Sequence, residues 1–286
     1  RTIVIGHKNP DTDSICSAIC YAALKSKITG NEYVAGRAGH VNEETQYVLN
    51  YFHVEAPQLI ESVKTQVKDI EIRATKGVER NISLKKAWNL MQDAHVTTLP
   101  AVSENGVLEG LITVGDITKS YMNLDDSSII SKANTKYSNI LDTLEGSIVV
   151  GDAEAYFDKG KVLIAAANPD LMENYIEKHD LVILGNRYES QLCAIEMNAG
   201  CIIIGLGAKV SRTIRKLASE NQVSIIATPL TTYSCAKVVS QAVPVRHVMR
   251  RRGLITFEPD DVVEDVKRAV SKKRMRYYPL LEMFRR

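Results

Sequence analysis

The chain opens on a short apolar run that leads directly into a loop crowded with chemically active side chains. Residues 2–5 are all β-branched, and they are followed by Gly6 and the turn sequence HKNPDTDS. A β-branched run that ends at a Gly/Asn/Pro turn predicts a strand and its loop. Open α/β sheets bind ligands beside the carboxyl ends of their strands. The sequence therefore predicts an N-terminal α/β unit with a ligand site in its first loop.

One imidazole and two carboxylates, from His7, Asp11 and Asp13, lie close together in this loop. Nitrogen and oxygen donors of this kind suit Mn²⁺, Co²⁺ or Mg²⁺ better than they suit the thiolate sites that zinc often occupies. A structural alternative is that Asp13 or Ser14 caps the helix predicted over residues 15–24. Capping accounts for one residue and leaves His7 and Asp11 without a role, so we favour a metal site.

The opening sequence GHKNPDTDSICSA closely resembles the first motif of the manganese-dependent (family II) inorganic pyrophosphatases, which belong to the DHH phosphoesterase superfamily. Relatives that cut nucleotides carry a looser form, H-x-x-P-D-x-D-x-x-G-S. This chain instead has Asn9 before Pro10 and SICSA after the last aspartate, which favours a pyrophosphatase. The resemblance implies that His7 and Asp11 bind one ion and that Asp13 binds the other.

The composition is that of an ordinary globular protein, with 45% hydrophobic and 24% charged residues, and 286 residues predict two or three domains. No apolar stretch reaches the roughly 18 residues of a membrane span, and no cleavable signal pattern is present. We therefore expect a cytoplasmic protein without a membrane partner. The five cysteines are scattered in apolar segments, which favours buried free thiols: Cys16, Cys20, Cys193, Cys201 and Cys235.

The small net charge of +2 hides a basic C-terminal segment. Residues 246–286 hold twelve Lys and Arg against six Asp and Glu, a local charge of +6. Such a segment can face nucleic acid, a polyphosphate ligand or solvent. Nucleic acid is disfavoured because Tyr277 and Tyr278 fit a strand and no stacking platform is visible.

Residues 63–124 resemble a CBS domain. Asn105-Gly106 between two apolar runs is a strong hairpin signal, and the sequence GLITVGD follows at residues 110–116. In CBS modules that bind adenine nucleotides, the Thr and Asp of this motif contact phosphate and ribose, which implies those roles for Thr113 and Asp116. The alternative, in which Asp116 only caps the helix predicted to start there, stays open.

The same pattern begins again near the C terminus, so the chain contains an internal repeat. Residues 245–249 repeat residues 67–70, and an apolar run at 254–257 and a helix over 261–271 follow in the same order. This part, residues 243–286, resembles a second CBS unit that stops before its own T/S-x-x-D motif. Because guanidinium groups pair strongly with phosphate, we expect Arg274, Arg276 and Tyr278 to offer positive charge and an aromatic face to a nucleotide between the two copies. The alternative, in which these arginines are solvated and Tyr278 packs in the core, stays open.

A separate α/β block lies between the two copies. Its five apolar strands alternate with helical stretches, which predicts a largely parallel sheet covered on both faces. The predicted strands are residues 147–150, 162–165, 181–184, 201–204 and 223–226, and the main helices are 169–178 and 209–221. The block resembles a DRTGG domain with a degraded motif at residues 185–187. Its GLGAKV sequence lacks the third glycine of a dinucleotide fingerprint, so we read it as a turn before a helix.

The sequence thus predicts an α/β chain with four parts. Residues 1–62 form the N-terminal part of a parallel-sheet DHH catalytic domain, 63–124 a CBS domain, 125–242 a DRTGG-like domain and 243–286 a truncated second CBS domain. This order resembles the CBS-containing subfamily of manganese-dependent pyrophosphatases.

That resemblance implies a two-metal enzyme that hydrolyses pyrophosphate to two phosphates with Mn²⁺ or Co²⁺ and Mg²⁺. It also implies regulation by AMP, ADP, ATP or diadenosine polyphosphates, and a homodimer assembled through the CBS units. No Asp-His-His string occurs, so we expect a chain truncated before the DHH motif and catalytically incomplete. The alternative is a non-catalytic module that senses adenine nucleotides.

Overall fold

The computed structural model describes residues 1–72, 74–122, 126–272 and 277–280. These residues form two compact units. The first consists of Arg1–Ile70 with Val262–Arg268, and the second holds the rest of the described chain. No helix in the described ranges combines the length and the apolar character needed to cross a membrane.

The first unit is a βαβαβ arrangement with a three-stranded parallel sheet in the order β1-β2-β3. Its elements are β1 (Thr2–Ile5), α1 (Thr12–Thr29), β2 (Tyr33–Arg37), α2 (Glu43–Tyr51) and β3 (Gln58–Leu59). The helix α1 begins earlier than the sequence predicts because Asp11 caps it, and it ends at Gly30, whose φ of +69° is a left-handed C-terminal conformation. The predicted parallel N-terminal sheet is present.

The segment that resembles the first CBS unit lies in the second unit from Glu71 onward and has a three-stranded sheet in the order β4-β5-β6. Its elements are β4 (Val78–Glu79), α3 (Leu84–Asp93), β5 (Thr98–Val102), β6 (Leu108–Thr113) and α4 (Val114–Met122). The predicted hairpin is correct: β5 and β6 are antiparallel, and Gly106 occupies the turn with a φ of +75°. The prediction that α4 starts at Asp116 is wrong by two residues, because Thr113 caps it.

The central block is a five-stranded sheet in the order β10-β11-β12-β13-β8, parallel except for β8 at its edge. Its elements in chain order are α5 (Ile129–Lys132), β7 (Thr135–Lys136), α6 (Tyr137–Leu144), β8 (Ser147–Val150), β9 (Tyr156–Phe157), β10 (Val162–Ile164), α7 (Pro169–Met172), β11 (Leu181–Leu184), α8 (Tyr188–Glu196), β12 (Cys201–Ile204), α9 (Arg212–Glu220), β13 (Ser224–Ala227) and α10 (Thr232–Val238). Every residue of β11 and β12 is buried. The sheet prediction is therefore correct, with the antiparallel edge as a new feature.

Two helices of this block are shorter than the sequence predicts. The helix α7 ends at Met172 instead of residue 178, because the Asp180 carboxylate accepts hydrogen bonds from the amides of Glu177 and Lys161 and fixes a turn before β11. The helix α9 starts at Arg212 because Ser211 caps it. As predicted, the glycine-rich sequence before α9 is a turn.

The C-terminal segment that resembles a second CBS unit contributes α11 (Val245–Val248) and α12 (Val263–Lys272). The strand predicted over 254–257 is only a bridge between Phe257 and Leu280. Within it the Phe257 amide donates to the carbonyl of Pro279.

In each of the two copies, the residue that precedes the copy pairs with the start of the main helix of the other copy. Pro244, which precedes the second copy, bridges to Ser83 at the start of α3, and Gln66, which precedes the first copy, bridges to Val262 at the start of α12. The two bridges are antiparallel and join equivalent positions of the repeat. This reciprocity supports the internal repeat that the sequence predicts.

The free thiols divide into two groups. Cys193, Cys201 and Cys235 are buried, as predicted, and burial raises the pKa of the Cys201 thiol. The prediction is wrong for Cys20, which is exposed, and for Cys16, which is half-buried. Both lie on α1 outside the stripe that it buries, which consists of Ser14, Ile15, Ala18 and Ala22.

Candidate nucleotide and metal sites

The first loop is held against the strand by a close contact between Gly6 and Ser14. A Cβ atom at Gly6 would lie 1.9 Å from Ser14 Oγ, so only glycine lets α1 start this close to the end of β1. The Ser14 hydroxyl is buried and makes no hydrogen bond within the described part of the chain. An unpaired buried hydroxyl at the end of β1 is a polar group available to a ligand of this loop.

His7 and Asp11 approach each other at the mouth of this loop. His7 Nε2 lies 3.4 Å from Asp11 Oδ1, and about 60% of each side chain is exposed (59% and 62%). Asp11 Oδ1 also accepts the Ser14 amide at 2.9 Å, so Asp11, not Asp13 or Ser14, is the helix cap. That hydrogen bond is the main cause that lowers the pKa of the Asp11 carboxyl. The capping role and an ion-binding role therefore fall on the same carboxylate.

Asp13 lies in the first turn of the same helix. Its Oδ1 accepts a hydrogen bond from Ser17 Oγ at 3.2 Å. Across the described ranges, no group of three or more His, Cys, Asp and Glu side chains gathers in a metal-ligating arrangement. The structure thus brings together His7 and Asp11, an imidazole nitrogen and a carboxylate oxygen, which fit a first-row divalent ion in type.

The Thr113 and Asp116 side chains cap α4 reciprocally. Asp116 Oδ2 accepts from the Thr113 amide at 3.0 Å and from the Thr113 hydroxyl at 2.6 Å, while Thr113 Oγ1 accepts from the Asp116 amide at 3.1 Å. The reciprocal cap makes Thr113 the N-cap and Asp116 its partner within the first turn, so Asp116 does not itself begin the helix as the capping alternative had it. It leaves the second carboxylate oxygen, Oδ1, without a hydrogen bond from any described residue.

A second hydroxyl lies directly across the hairpin from Thr113. Thr98 pairs with Thr113 in the β5–β6 register and is 7% exposed, and its Oγ1 makes no hydrogen bond to a described residue. The sequence reasoning missed this residue, since its only signal is a polar residue at the start of an otherwise apolar strand.

The second copy reaches the same end of the first copy through Tyr277. The Tyr277 hydroxyl hydrogen-bonds the Thr97 hydroxyl, and the Thr97 carbonyl accepts from the amide of Val114, the first residue of α4. Tyr278, which the sequence favours, packs against Phe257 with ring centroids 5.5 Å apart. The predicted residues Arg274 and Arg276 lie outside the described residues.

Family models identify two of the parts. A CBS domain matches residues 67–123, and a DRTGG domain matches residues 139–242. The crystal structure of the CBS and DRTGG domains of the regulatory region of Clostridium perfringens pyrophosphatase, complexed with the activator diadenosine tetraphosphate, superposes with a TM-score of 0.72. It is 33% identical, over 76% of this chain and 94% of that one. The chain belongs to the CBS- and DRTGG-containing pyrophosphatase family.

Curated relatives of this CBS–DRTGG pyrophosphatase family extend the similarity to almost the whole chain. A cobalt-dependent inorganic pyrophosphatase of Clostridium perfringens is 38% identical over 279 residues, which are 98% of this chain and 51% of the relative. A probable manganese-dependent inorganic pyrophosphatase of Thermotoga maritima is 29% identical over 96% of this chain and 50% of the relative. The chain therefore spans about half the length of these relatives.

A shorter and more similar stretch links the chain to further relatives that are named as pyrophosphatases. A probable manganese-dependent inorganic pyrophosphatase of Listeria innocua is 53% identical over 72 residues, 25% of this chain and 23% of the relative.

Proposed function

We propose that this chain is the adenine-nucleotide-sensing part, with the N-terminal DHH-type portion of the catalytic domain, of a manganese- or cobalt-dependent inorganic pyrophosphatase. The observation that carries the proposal is the likeness to the Clostridium perfringens regulatory region, at 33% identity over 94% of a chain that binds diadenosine tetraphosphate. The four parts 1–62, 63–124, 125–242 and 243–286 are proposed as its domains.

The adenine nucleotide binds at the start of α4. Asp116 Oδ1, which the reciprocal cap leaves free, accepts the ribose hydroxyls, and the buried Thr98 hydroxyl directly across from Thr113 supplies a further polar contact. Two of the first three amides of α4, those of Val114 and Asp116, are already bonded. The phosphates therefore depend on cationic side chains, for which we propose Arg274 and Arg276, with Tyr278 beside them.

The metal site is proposed at the end of β1. His7 and Asp11 hold one divalent ion there and Asp13 the other, and the donor types agree with Mn²⁺ or Co²⁺. When bound, the ions supply an acidified water and neutralise phosphoryl oxygens. These three donors are too few for a bridged two-metal site, so we expect pyrophosphate turnover by this chain alone to stay below about 1 s⁻¹. Phosphate release measured with malachite green in the presence of Mn²⁺ or Co²⁺ tests this expectation.

Nucleotide binding is tested by calorimetric titration of the chain with AMP, ATP and diadenosine tetraphosphate. We expect Asp116→Ala to weaken AMP binding at least about tenfold, because it removes an acceptor of the ribose hydroxyls. Lys119→Ala, an exposed change in the same helix, is the matched control and keeps the parent affinity. Equal AMP binding by the parent and Asp116→Ala contradicts the site, and Arg276→Ala tests the proposed phosphate contact in the same way.

The alternative function is a nucleotide sensor without chemistry of its own. The reciprocal cap and the free Asp116 oxygen serve that function equally well. Titration with Mn²⁺ separates the two functions, because only the enzyme needs the donors His7 and Asp11. Metal binding that is lost in His7→Ala supports the pyrophosphatase. We also propose that the CBS units pair in a homodimer, which sedimentation of the chain measures.

A further inference from the structure

A cavity of about 300 Å³ opens in the second unit. It lies between the CBS helices α3 and α4 on one side and the two segments that flank the central block on the other. The described residues that line it include Leu84, Lys85 and Trp88 of α3, Ile117 and Tyr121 of α4, and Asp126, Ile129 and Gln241 of the flanking segments. Neither Thr113 nor Asp116 is among them.

The two aromatic residues of this cavity are not explained by packing. Trp88 is the single tryptophan of the chain, is 39% exposed and does not belong to the apolar cluster that α3 otherwise joins. Tyr121 lies on the neighbouring helix α4 and lines the same cavity. Large aromatic side chains at an open cavity provide flat apolar surfaces on which another ring can stack. The residues Leu84, Ile117 and Ile129 add aliphatic surface.

Both charged groups of the lining are already neutralised. The Lys85 ammonium lies 3.6 Å from Glu145 Oε1 and donates to the Thr143 carbonyl at 3.0 Å. The Asp126 carboxylate accepts from the Lys132 ammonium at 2.8 Å and from the Ser128 amide at 3.0 Å. The cavity thus presents paired charges, together with uncharged polar groups at Thr118, Ser120, Ser240 and Gln241.

We propose that this cavity binds an uncharged, planar aromatic molecule. Its ring lies against Trp88 and Tyr121, and its polar edge hydrogen-bonds to Gln241 or the neighbouring hydroxyls. A charged ligand is disfavoured because the described lining residues offer no unpaired charge to offset the cost of removing that ligand from water. The volume is at the lower end of the range for small-molecule sites, which form preferentially where domains meet. Because its walls come from the CBS helices and from the flanks of the central block, the ligand holds these two parts together.

Trp88 makes the experiment specific to this cavity, since it is the single tryptophan. The probe is benzimidazole at mildly alkaline pH, where it is uncharged, and the readout is the tryptophan emission of the whole chain. We expect a saturable change in emission. Tyr121→Leu keeps the reporter and weakens probe binding about tenfold, because it removes one stacking wall. Benzoate, an anion of similar shape, gives no saturable change.

The matched control is Leu90→Ala. Leu90 lies on the same helix with a similar exposure of 37% but lines a different cavity, so this variant keeps the parent affinity. Trp88→Leu, with its fold checked by circular dichroism, is expected to bind the probe more weakly than the parent in a calorimetric titration. Two results overturn the proposal: an emission change that does not saturate, and equal probe affinity in Tyr121→Leu and the parent.

Discussion

Thr98 and Thr113 lie directly opposite each other across the β5–β6 hairpin, and only the Thr113 hydroxyl is hydrogen-bonded within the described residues. A buried hydroxyl without a partner is a cost that the ligand-free protein bears. Replacing Thr98 by the isosteric valine removes this cost. We therefore expect Thr98→Val to stabilise the free chain by about 1 kcal/mol in urea unfolding and to weaken AMP binding in calorimetry.

Thr143→Val is the control for this prediction. Thr143 is fully buried in α6, and its hydroxyl is also without a described partner. We expect Thr143→Val to stabilise the free chain by the same amount and to leave the affinity for AMP unchanged. If Thr98→Val and Thr143→Val affect AMP equally, the Thr98 hydroxyl is not part of the nucleotide site.

Gly6→Ala is predicted to destabilise the first unit. The new Cβ would meet Ser14 Oγ at 1.9 Å and Ser14 Cβ at 3.1 Å, so α1 must shift away from β1. Overpacking of this kind costs about 1–3 kcal/mol, measurable by thermal unfolding. Adding Ser14→Ala removes the closest atom and should recover most of the loss. Gly185→Ala, where no atom lies within 4 Å, is the neutral control. If Ser14→Ala does not restore the stability lost in Gly6→Ala, the clash with Ser14 Oγ is not the cause of that loss.

Arg246 is predicted to couple the first CBS copy to the central block. Its Nε donates to Asn81 Oδ1 at 2.9 Å and its Nη2 to the Asn134 carbonyl at 2.7 Å. We expect a double-mutant cycle of Arg246→Gln with Asn81→Ala to give a coupling energy of about 1 kcal/mol in urea unfolding. Arg250→Gln, at an exposed neighbouring position, should show no coupling to Asn81. If the losses of stability in Arg246→Gln and Asn81→Ala add in the double variant, the two side chains are not coupled.

The pKa of Asp126 is predicted to rise when Lys132 is changed to Gln. The Lys132 hydrogen bond is the main cause that holds the Asp126 pKa below its ordinary value of 3.8, followed by the Ser128 amide. A lowered folded-state pKa means that this ion pair stabilises the protein above the ordinary value, and that its contribution is lost as pH falls through the lowered value. A carboxyl NMR titration measures the shift. An unchanged Asp126 pKa in Lys132→Gln contradicts the assignment, and Lys136→Gln is the control.

Local patterns were sufficient for most of the fold. The Asn105-Gly106 turn and the apolar strands of the central sheet follow from turn chemistry and periodicity. The boundaries of α1 and α4 were missed because their caps, Asp11 and Thr113, were each interpreted as loop or strand residues with a ligand role alone. A polar residue at a helix start can cap and bind at once, and sequence does not separate the two roles.

The candidate nucleotide site was only partly predictable. Thr113 and Asp116 come from one short motif, but the contact between Thr97 and Tyr277 joins residues 180 positions apart. Neighbouring residues of an extended segment point in opposite directions, so the choice between Tyr277 and Tyr278 depends on a register that local sequence does not determine. Thr98 was missed for the same reason, because its importance comes from its cross-strand partner.

The contacts that the two repeat copies exchange bear on the order in which the chain can fold during synthesis. Asn81 beside the start of α3 meets Arg246 only 165 positions later, although the strands β8 to β13 lie entirely between them. At roughly 5–20 residues per second, the first copy waits about 10–30 s for its partner segment, while the central sheet is already complete. Synthesis order therefore lets the central block complete its sheet before the first copy meets Arg246, so this copy closes against a finished scaffold.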